Sequence, residues 1–467
     1  MINRKLYEIE RMSEGMISDS AWNFLSVVGV STDTRTLQPG NLFIPIVRTQ
    51  NGHRFVEEAF RKGAVASLWS RHEPDPPHQV PLIFVDDPLS ALHRLASRYR
   101  QELNIKVVGV TGSNGKTTTK DMIASVLSRC RRVCKTEGNL NNHYGLPLTL
   151  LQMEEGTEIA VVEMGMSGAG EIKQLARIAR PDVAVITMIG EAHLASLGSR
   201  KAIASAKLEI LSGLAPNGTL LFNGDEPLLE EVLAEIAPPD TIRKLRFGLG
   251  PANDYSPADI RIDSQRTEFK VCGRSDDRYA VPLPGKHYAC NALAAIAVAD
   301  GFEIPDADIQ EGLASVHPSG MRMEVKRSVT GLTVIDDAFN ASPSSVKAAI
   351  EVLSDMQGFA NKTIVLGDML ELGPEEKEMH RAIGRLLSPE TIDFVYTYGE
   401  LAAYIAEEAR IRFGTQRALS FQDKPSLAAH LLADSSPDKV VLVKGSRGAG
   451  MEEIVQQLLA DSDLQDS

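Results

Sequence analysis

The sequence predicts an α/β protein of three domains. These are a small N-terminal α/β domain over residues 1–103, a central phosphate-loop parallel sheet over 104–318 and a C-terminal Rossmann-like α/β domain over 319–467. Three observations carry this prediction. At 467 residues the chain exceeds what one hydrophobic core usually supports. Short apolar, β-branched runs alternate with stretches of helical period along most of its length. That alternation restarts near Pro318-Ser319-Gly320.

In the first unit, "GVSTDTRTLQPGNLFIPI" sets the Pro39-Gly40 turn signal before a strand. "GHRFVEEAFRKGAVASLWS" reads as a helix running into another strand, and "LSALHRLASRYRQEL" as a closing helix. The central unit opens with "IKVVGVTGSNGKTTTKD", residues 105–121: an apolar strand, a glycine turn, then Met122, Ile123, Val126 and Leu127 at helical spacing. "EIAVVEMG", "DVAVITMIG" and "GTLLFNGDEP" are further strands, and "NALAAIAVADGF" is a helix. In the third unit "GLTVIDDAFN", "NKTIVLGDM", "TIDFVYTYGE" and "KVVLVKGSRGAG" read as strands separated by helices. The tail "DSDLQDS" reads as frayed.

The composition, 43% hydrophobic and 24% charged, is that of an ordinary globular protein. A net charge of −13 argues against nucleic acid or an anionic membrane as partner, so cations for an anionic ligand must be concentrated locally. The four cysteines form no C-x-x-C pair, which predicts reduced thiols, and Cys130 and Cys134 are expected to pack on the helix after the glycine turn. "MINRKLYEIERMSEG" has no apolar signal core and no run reaches transmembrane length, so a cytoplasmic protein without integral membrane contact is expected.

The glycine turn carries the first chemistry. Thr111, Gly112, Ser113, Asn114, Gly115, Lys116, Thr117 and Thr118 lie where backbone N–H groups and a helix N-terminus can cradle phosphates. Lys116 would meet the terminal phosphates and the Thr117 hydroxyl Mg²⁺. The strict G-x-x-x-x-G-K-[ST] pattern fails at Val110. Polar residues also sit just past the ends of the strands: Glu163, Glu191, His193, Asn223, Asp336, Asp337, Asp368 and Lys444. In α/β sheets that edge binds ligands, and two such edges suggest a cleft between domains.

Glu163 ends the strand expected beside the loop strand, and so is the natural second contact for a metal at Thr117. By spacing alone His193 reads as a packed histidine and Lys207 as a solvated helix lysine. His287 and Asn291, four apart at a helix start, suit a purine edge and equally a capped core helix. Arg322 suits a reacting phosphate and equally an ordinary surface position.

Taken together these stretches resemble the Mur ligase family, the ATP-dependent amide-bond-forming enzymes of peptidoglycan precursor synthesis. The resemblance covers nearly the whole chain, and the family's looser T-G-x-x-G-K-[TS] loop accounts for Val110. "TEGNLNNHYGLPLTLL", "VIDDAFNASP", "LGDMLELG" and "VLVKGSRGAGMEEIV" resemble the member that joins D-alanyl-D-alanine to UDP-N-acetylmuramoyl-tripeptide. The D-N-P-R motif of the diaminopimelate-adding relative is absent. Where that relative carries K-G-H-E, this chain has Lys444-Gly445-Ser446-Arg447.

The resemblance implies ATP and two Mg²⁺ ions, with Lys116 and Thr117 on the phosphates and first metal, Glu163 completing that shell and His193 on the second metal. Lys207 matches the lysine that is carbamylated in these ligases and so joins the metal set. His287 and Asn291 would contact adenosine, while Arg322 and Asp337 reach the nucleotide from the third domain. Ser31, Thr32, Asp33 and Arg35 of "STDTR" match a segment holding the UDP end of the substrate, and Asn141, Asn142, Asn340 and Asp368 are further candidate substrate contacts. The family's "DDSYNANP" is here "DDAFNASP", with Phe339 for tyrosine and Ser342 for asparagine. Arg48 and Asn51 stand where the family usually has glycine and aspartate. A monomer acting on small molecules is expected. The alternatives are a sister ligase adding one amino acid, a folate- or cyanophycin-type ligase, and a phosphate-loop switch without ligase activity.

Overall fold

Strand Lys106–Thr111 forms because four of its six residues are β-branched, and it lies inside a six-stranded, all-parallel sheet. The order across that sheet is Arg243–Phe247, Thr219–Asn223, Val183–Ile186, Lys106–Thr111, Ile159–Glu163 and Val133–Lys135. The computed structural model describes residues 1–263, 265–274, 276–317 and 320–460; the expected junction at Pro318-Ser319 and the tail at 461–467 lie outside them.

Side chains of the sheet divide by the two-residue period. Val107, Ala160, Val162, Ala184, Ile186 and Leu220 enter one core, and Val108, Val110, Val161, Val185 and Leu221 the other. Both faces are covered, as a parallel sheet requires. The first core is shared with the N-terminal residues Ile2, Leu6, Leu92 and Tyr99. The second continues into helix Lys286–Gly301 and into C-terminal residues such as Ile335 and Val346.

The N-terminal unit is built on a five-stranded sheet, ordered Met16–Ile17, Leu82–Val85, Ala66–Ser70, Leu42–Phe43 and Val30–Ser31, and closed by helix Pro88–Leu103. The C-terminal unit has six strands, ordered Glu324–Arg327, Thr333–Asp337, Lys439–Lys444, Asn361–Gly367, Phe394–Tyr398 and Ala418–Phe421, of which the first is antiparallel.

Two sequence expectations need correction. Helix Lys116–Leu127 ends before Cys130, and Cys134 lies in strand Val133–Lys135, so the two thiols do not share a helix. The central unit also contains an antiparallel sheet, Pro257–Ile262, Thr267–Val271 and Tyr279–Val281, that the strand–helix reading passed over.

Candidate active site

The glycine turn delivers its phosphate-facing groups through two left-handed backbones. Gly112 has φ +145° and Gly115 φ +79°, and helix Lys116–Leu127 starts immediately after. A Cβ on Gly112 would overlap the Thr187 hydroxyl, which holds the loop by donating to the Asn114 carbonyl at 2.5 Å. A Cβ on Gly115 would lie 3.0 Å from Asn291 Oδ1. The helix carrying His287 and Asn291 is therefore packed against the loop.

Register places the acid. Strand Ile159–Glu163 pairs in parallel with the loop strand, setting Glu163 beside Val110. Its carboxylate accepts from Thr117 Oγ1 at 2.8 Å and from Asn141 Nδ2 at 2.7 Å. Hydroxyl, carboxylate and amide oxygens are the donors a hard divalent cation prefers. Among the described residues no three His, Cys, Asp or Glu side chains converge. The Thr117 hydroxyl and the Glu163 carboxylate are oxygen donors of the kind Mg²⁺ takes beside phosphate and water oxygens.

These groups line a cavity of about 600 Å³ between the central and C-terminal units. Ser113 to Thr118, Asn141, Asn142, Glu163, His193, His287 and Asn291 face it from the central side, and Arg322, Asp337 and Asn340 from the C-terminal side. The two sides touch directly: Asn114 Nδ2 donates to Ser342 Oγ at 3.2 Å and to Ser344 Oγ at 3.0 Å. The Arg322 guanidinium stacks on the Phe339 ring, 4.1 Å from its centroid. Phenylalanine at 339 thus retains a platform for the cation.

Burial sets the protonation chemistry. Desolvation lowers the Lys116 pKa, with Glu163 opposing it and Arg322 adding to it. Desolvation, reinforced by the positive charge of Lys116, also drives Lys207 well below the usual lysine value. Lys207 is 1% exposed and does not line the cavity, yet it lowers the His193 pKa, second to desolvation. His287 is held down to about 4 by burial and by Lys444.

Other candidate residues lie elsewhere. Thr111 is buried and donates to the Met164 carbonyl. Asp336 turns to the opposite face of its strand from Asp337; it is buried and pairs with Lys326 at 2.8 Å, so it does not face the cleft as the strand-end reading expects. Asp368 accepts from the Ala402 N–H at 2.7 Å and does not line the cavity. Ser31, Thr32, Asp33 and Arg35 form a separate turn of the N-terminal unit, where Arg35 pairs with Asp33 and lowers its pKa to about 2. Arg48 of that unit stacks on Tyr144 of the central unit, 4.2 Å from the ring centroid, beside the Asn141-Asn142 segment.

The Mur ligase middle domain matches residues 110–299, and the domain described as "Mur ligase, glutamate ligase domain" matches residues 321–447. The UDP-N-acetylmuramoyl-tripeptide–D-alanyl-D-alanine ligase of Bacillus subtilis (strain 168) is 46% identical over 98% of this chain and 99% of its own length. The chain belongs to the Mur ligase family. A crystal structure of MurF from Acinetobacter baumannii superposes with a TM-score of 0.88 at 28% identity, covering 99% of this chain and 100% of that one. MurF ligase from Thermotoga maritima, solved in complex with ADP, gives 0.80 at 30% identity over 93% of this chain and 97% of that one.

Within this Mur ligase, Thr187, Ser344 and Glu371 take part in contacts that sequence reasoning missed. Thr187 follows strand Val183–Ile186 directly, so the strand-end rule that found Glu163 could have found it. Ser344 lies in the first turn of helix Pro343–Asp355, where its N–H meets Glu191 Oε2 at 3.3 Å. Glu371 lies in the "LGDMLELG" stretch and approaches His193 across the interface, a pairing that no spacing along the chain signals.

Proposed function

We propose that the protein is an ATP-dependent ligase that joins D-alanyl-D-alanine to UDP-N-acetylmuramoyl-tripeptide, giving the pentapeptide precursor of peptidoglycan. The observation that carries this reading is the single cavity in which the phosphate loop and Glu163 face Arg322, Asp337 and Asn340 of another unit. A nucleotide switch has no need of a second domain built into its phosphate site, whereas a ligase must bring two further substrates to it.

A carboxylate resists an amine because its carbon is electron-rich and its leaving group would be oxide. Passing the terminal phosphoryl group of ATP to the tripeptide carboxylate gives an acyl phosphate. The amine lone pair of the dipeptide then attacks the carbonyl carbon, and the tetrahedral adduct expels phosphate as the amine loses its proton. Lys116 and Arg322 hold the transferring group and offset its charge. Thr117, Glu163 and His193 are the residues that would hold Mg²⁺, which when bound neutralises phosphate charge. An α-amine has a pKa of about 8, so positioning matters more than a strong base.

Lys207 completes the reading as a carbamate: its neutral amine adds to CO₂, forming an N–C bond and releasing one proton, and a buried anion replaces a buried amine. The lowered pKa supports this, since only the neutral amine reacts. His287 and Asn291 serve the adenosine, and the Ser31–Arg35 turn serves the uridine end of the acceptor. The proposed enzyme is a cytoplasmic protein that acts as a monomer on small molecules; among the described residues no helix is long and apolar enough to cross a membrane.

The test is phosphate release with ATP and UDP-N-acetylmuramoyl-tripeptide while the amine is varied. Release that requires both the acceptor and D-alanyl-D-alanine is expected. Release with neither would favour the switch reading.

A further inference from the structure

His193 and Glu371 face each other across the boundary between the central and C-terminal units. His193 Nδ1 lies 2.9 Å from Glu371 Oε2. The Glu371 carbonyl accepts from the Ala195 N–H at 3.2 Å, and a Cβ on Gly373 would lie 3.2 Å from the Ala195 Cα. These two contacts, with Gly373 packed too closely on Ala195 for a side chain to fit easily, seat the 371–373 turn on the 193–195 segment.

Both partners hold backbones that side chains avoid: φ is +67° at His193 and +64° at Glu371. Non-glycine residues persist in that region only where their surroundings impose it. The Glu371 side chain is 66% exposed, and an exposed pair of this kind adds little to folding stability. Its significance is geometric. An Nδ1–H donated to a carboxylate fixes the imidazole tautomer and ring plane, leaving the Nε2 lone pair for the cavity that His193 lines. The carboxylate rides on the C-terminal unit, four residues past strand Asn361–Gly367, while the ring belongs to the central unit. Orientation of the ring therefore requires the two units to be together.

We infer that Glu371 is a positioning residue: by accepting from His193 Nδ1 across the boundary between the two units it orients the imidazole toward the cavity, so that the C-terminal unit contributes to the geometry of the central unit's site. This rests on the reading of His193 as a metal-site residue given above.

The full-length variants E371A, E371Q, H193A and the double variant E371A/H193A test it in the phosphate-release assay. Glutamine retains an oxygen acceptor, so E371Q should stay within about threefold of wild type. E371A should lose about tenfold in kcat with KM for ATP unchanged, the range seen when a partner that orients a ligating histidine is removed. In the H193A background E371A should cost nothing further. Without nucleotide, amide hydrogen exchange over residues 193–197 should quicken in E371A but not in E371Q, with helix Lys116–Leu127 unchanged. Wild-type kcat in E371A beside an impaired H193A overturns this inference alone, as does an equal E371A loss in the H193A background. Wild-type turnover in H193A removes the metal-site reading of His193 and this inference with it.

Discussion

Lys444 Nζ lies 2.6 Å from Asp337 Oδ2 and also donates to the Asn340 carbonyl at 2.9 Å. The two side chains end neighbouring parallel strands in register, and they are 4% and 14% exposed. A buried ammonium with one carboxylate partner depends on that partner. Asp337→Ala should therefore destabilise the protein by about 3–5 kcal/mol in urea unfolding. Asp337→Asn, which keeps an oxygen acceptor, should cost less. Equal stability of Asp337→Ala and wild type would show that Lys444 finds another anion.

Lys116 donates to the Gly112 and Ser113 carbonyls at 2.9 and 3.2 Å, so its side chain arches over the loop that it serves. Lys116→Ala should leave the melting temperature nearly unchanged and lower kcat at least about 100-fold, roughly 3 kcal/mol of transition-state stabilisation. Steady-state phosphate release beside a thermal melt separates the two effects. Substantial residual turnover would dismiss the lysine from the phosphate site.

For Lys207, Lys207→Ala should abolish turnover, and CO₂-stripped buffer should slow the wild type until bicarbonate is restored. Only the neutral amine forms a carbamate, so acidification removes it and activity falls on the acid side, and the lowered Lys207 pKa moves that fall to lower pH. Indifference of the wild type to CO₂ would count against the modification.

His287 gives a stability profile. Its folded pKa of about 4 lies below the unfolded value of 6.5, so the unfolded chain binds the proton more readily. The stability it contributes is fully present above pH 6.5 and is lost as pH falls toward 4, by up to about 3 kcal/mol. His287→Gln should flatten that part of the urea-unfolding profile. Parallel profiles for the two proteins would contradict the assignment.

Amine choice is open to the sharpest comparison. D-Alanyl-D-alanine carries its carboxylate one residue farther from the nucleophile than a single amino acid does, so a cation set for that distance leaves the shorter competitor unpaired. The ratio of kcat/KM for D-alanyl-D-alanine over L-lysine or meso-diaminopimelate, each with its matching acceptor, should exceed about 100. A single amino acid winning with the dipeptide acceptor would make this a sister ligase.

The parts of the fold and site legible in the sequence were those with a local signature. The loop strand, its glycines and its helix follow from β-branching, left-handed turns and helical spacing, and Glu163 from its place at a strand end. Asp336 and Asp337 are adjacent in sequence, and which one faces the cleft depends on the pleat, which the sequence alone does not phase. The strands between Pro257 and Val281 were missed because they hold no long apolar run: in Thr267–Val271 the buried Thr267, Phe269 and Val271 alternate with half-buried Glu268 and Lys270, and Pro257–Ile262 has no buried residue. Glu371 lies within "LGDMLELG", yet its contact with His193 was not legible: an acid on a surface turn acquires meaning only from the unit that docks against it.

Helix Pro88–Leu103 ends two residues before strand Lys106–Thr111 begins. Across that short passage Tyr99 Oη donates to the Met153 carbonyl at 2.8 Å, and the Ile2 N–H to the Leu151 carbonyl at 2.8 Å. The N-terminal unit thus shares one core with a face of the central sheet. Cutting the chain after residue 103 would not sever a tether but would uncover the apolar sides of helices Gly145–Leu151 and Glu171–Ala179, on which helix Pro88–Leu103 packs. A fragment made that way would be a substrate for chaperones and proteases rather than a smaller working protein.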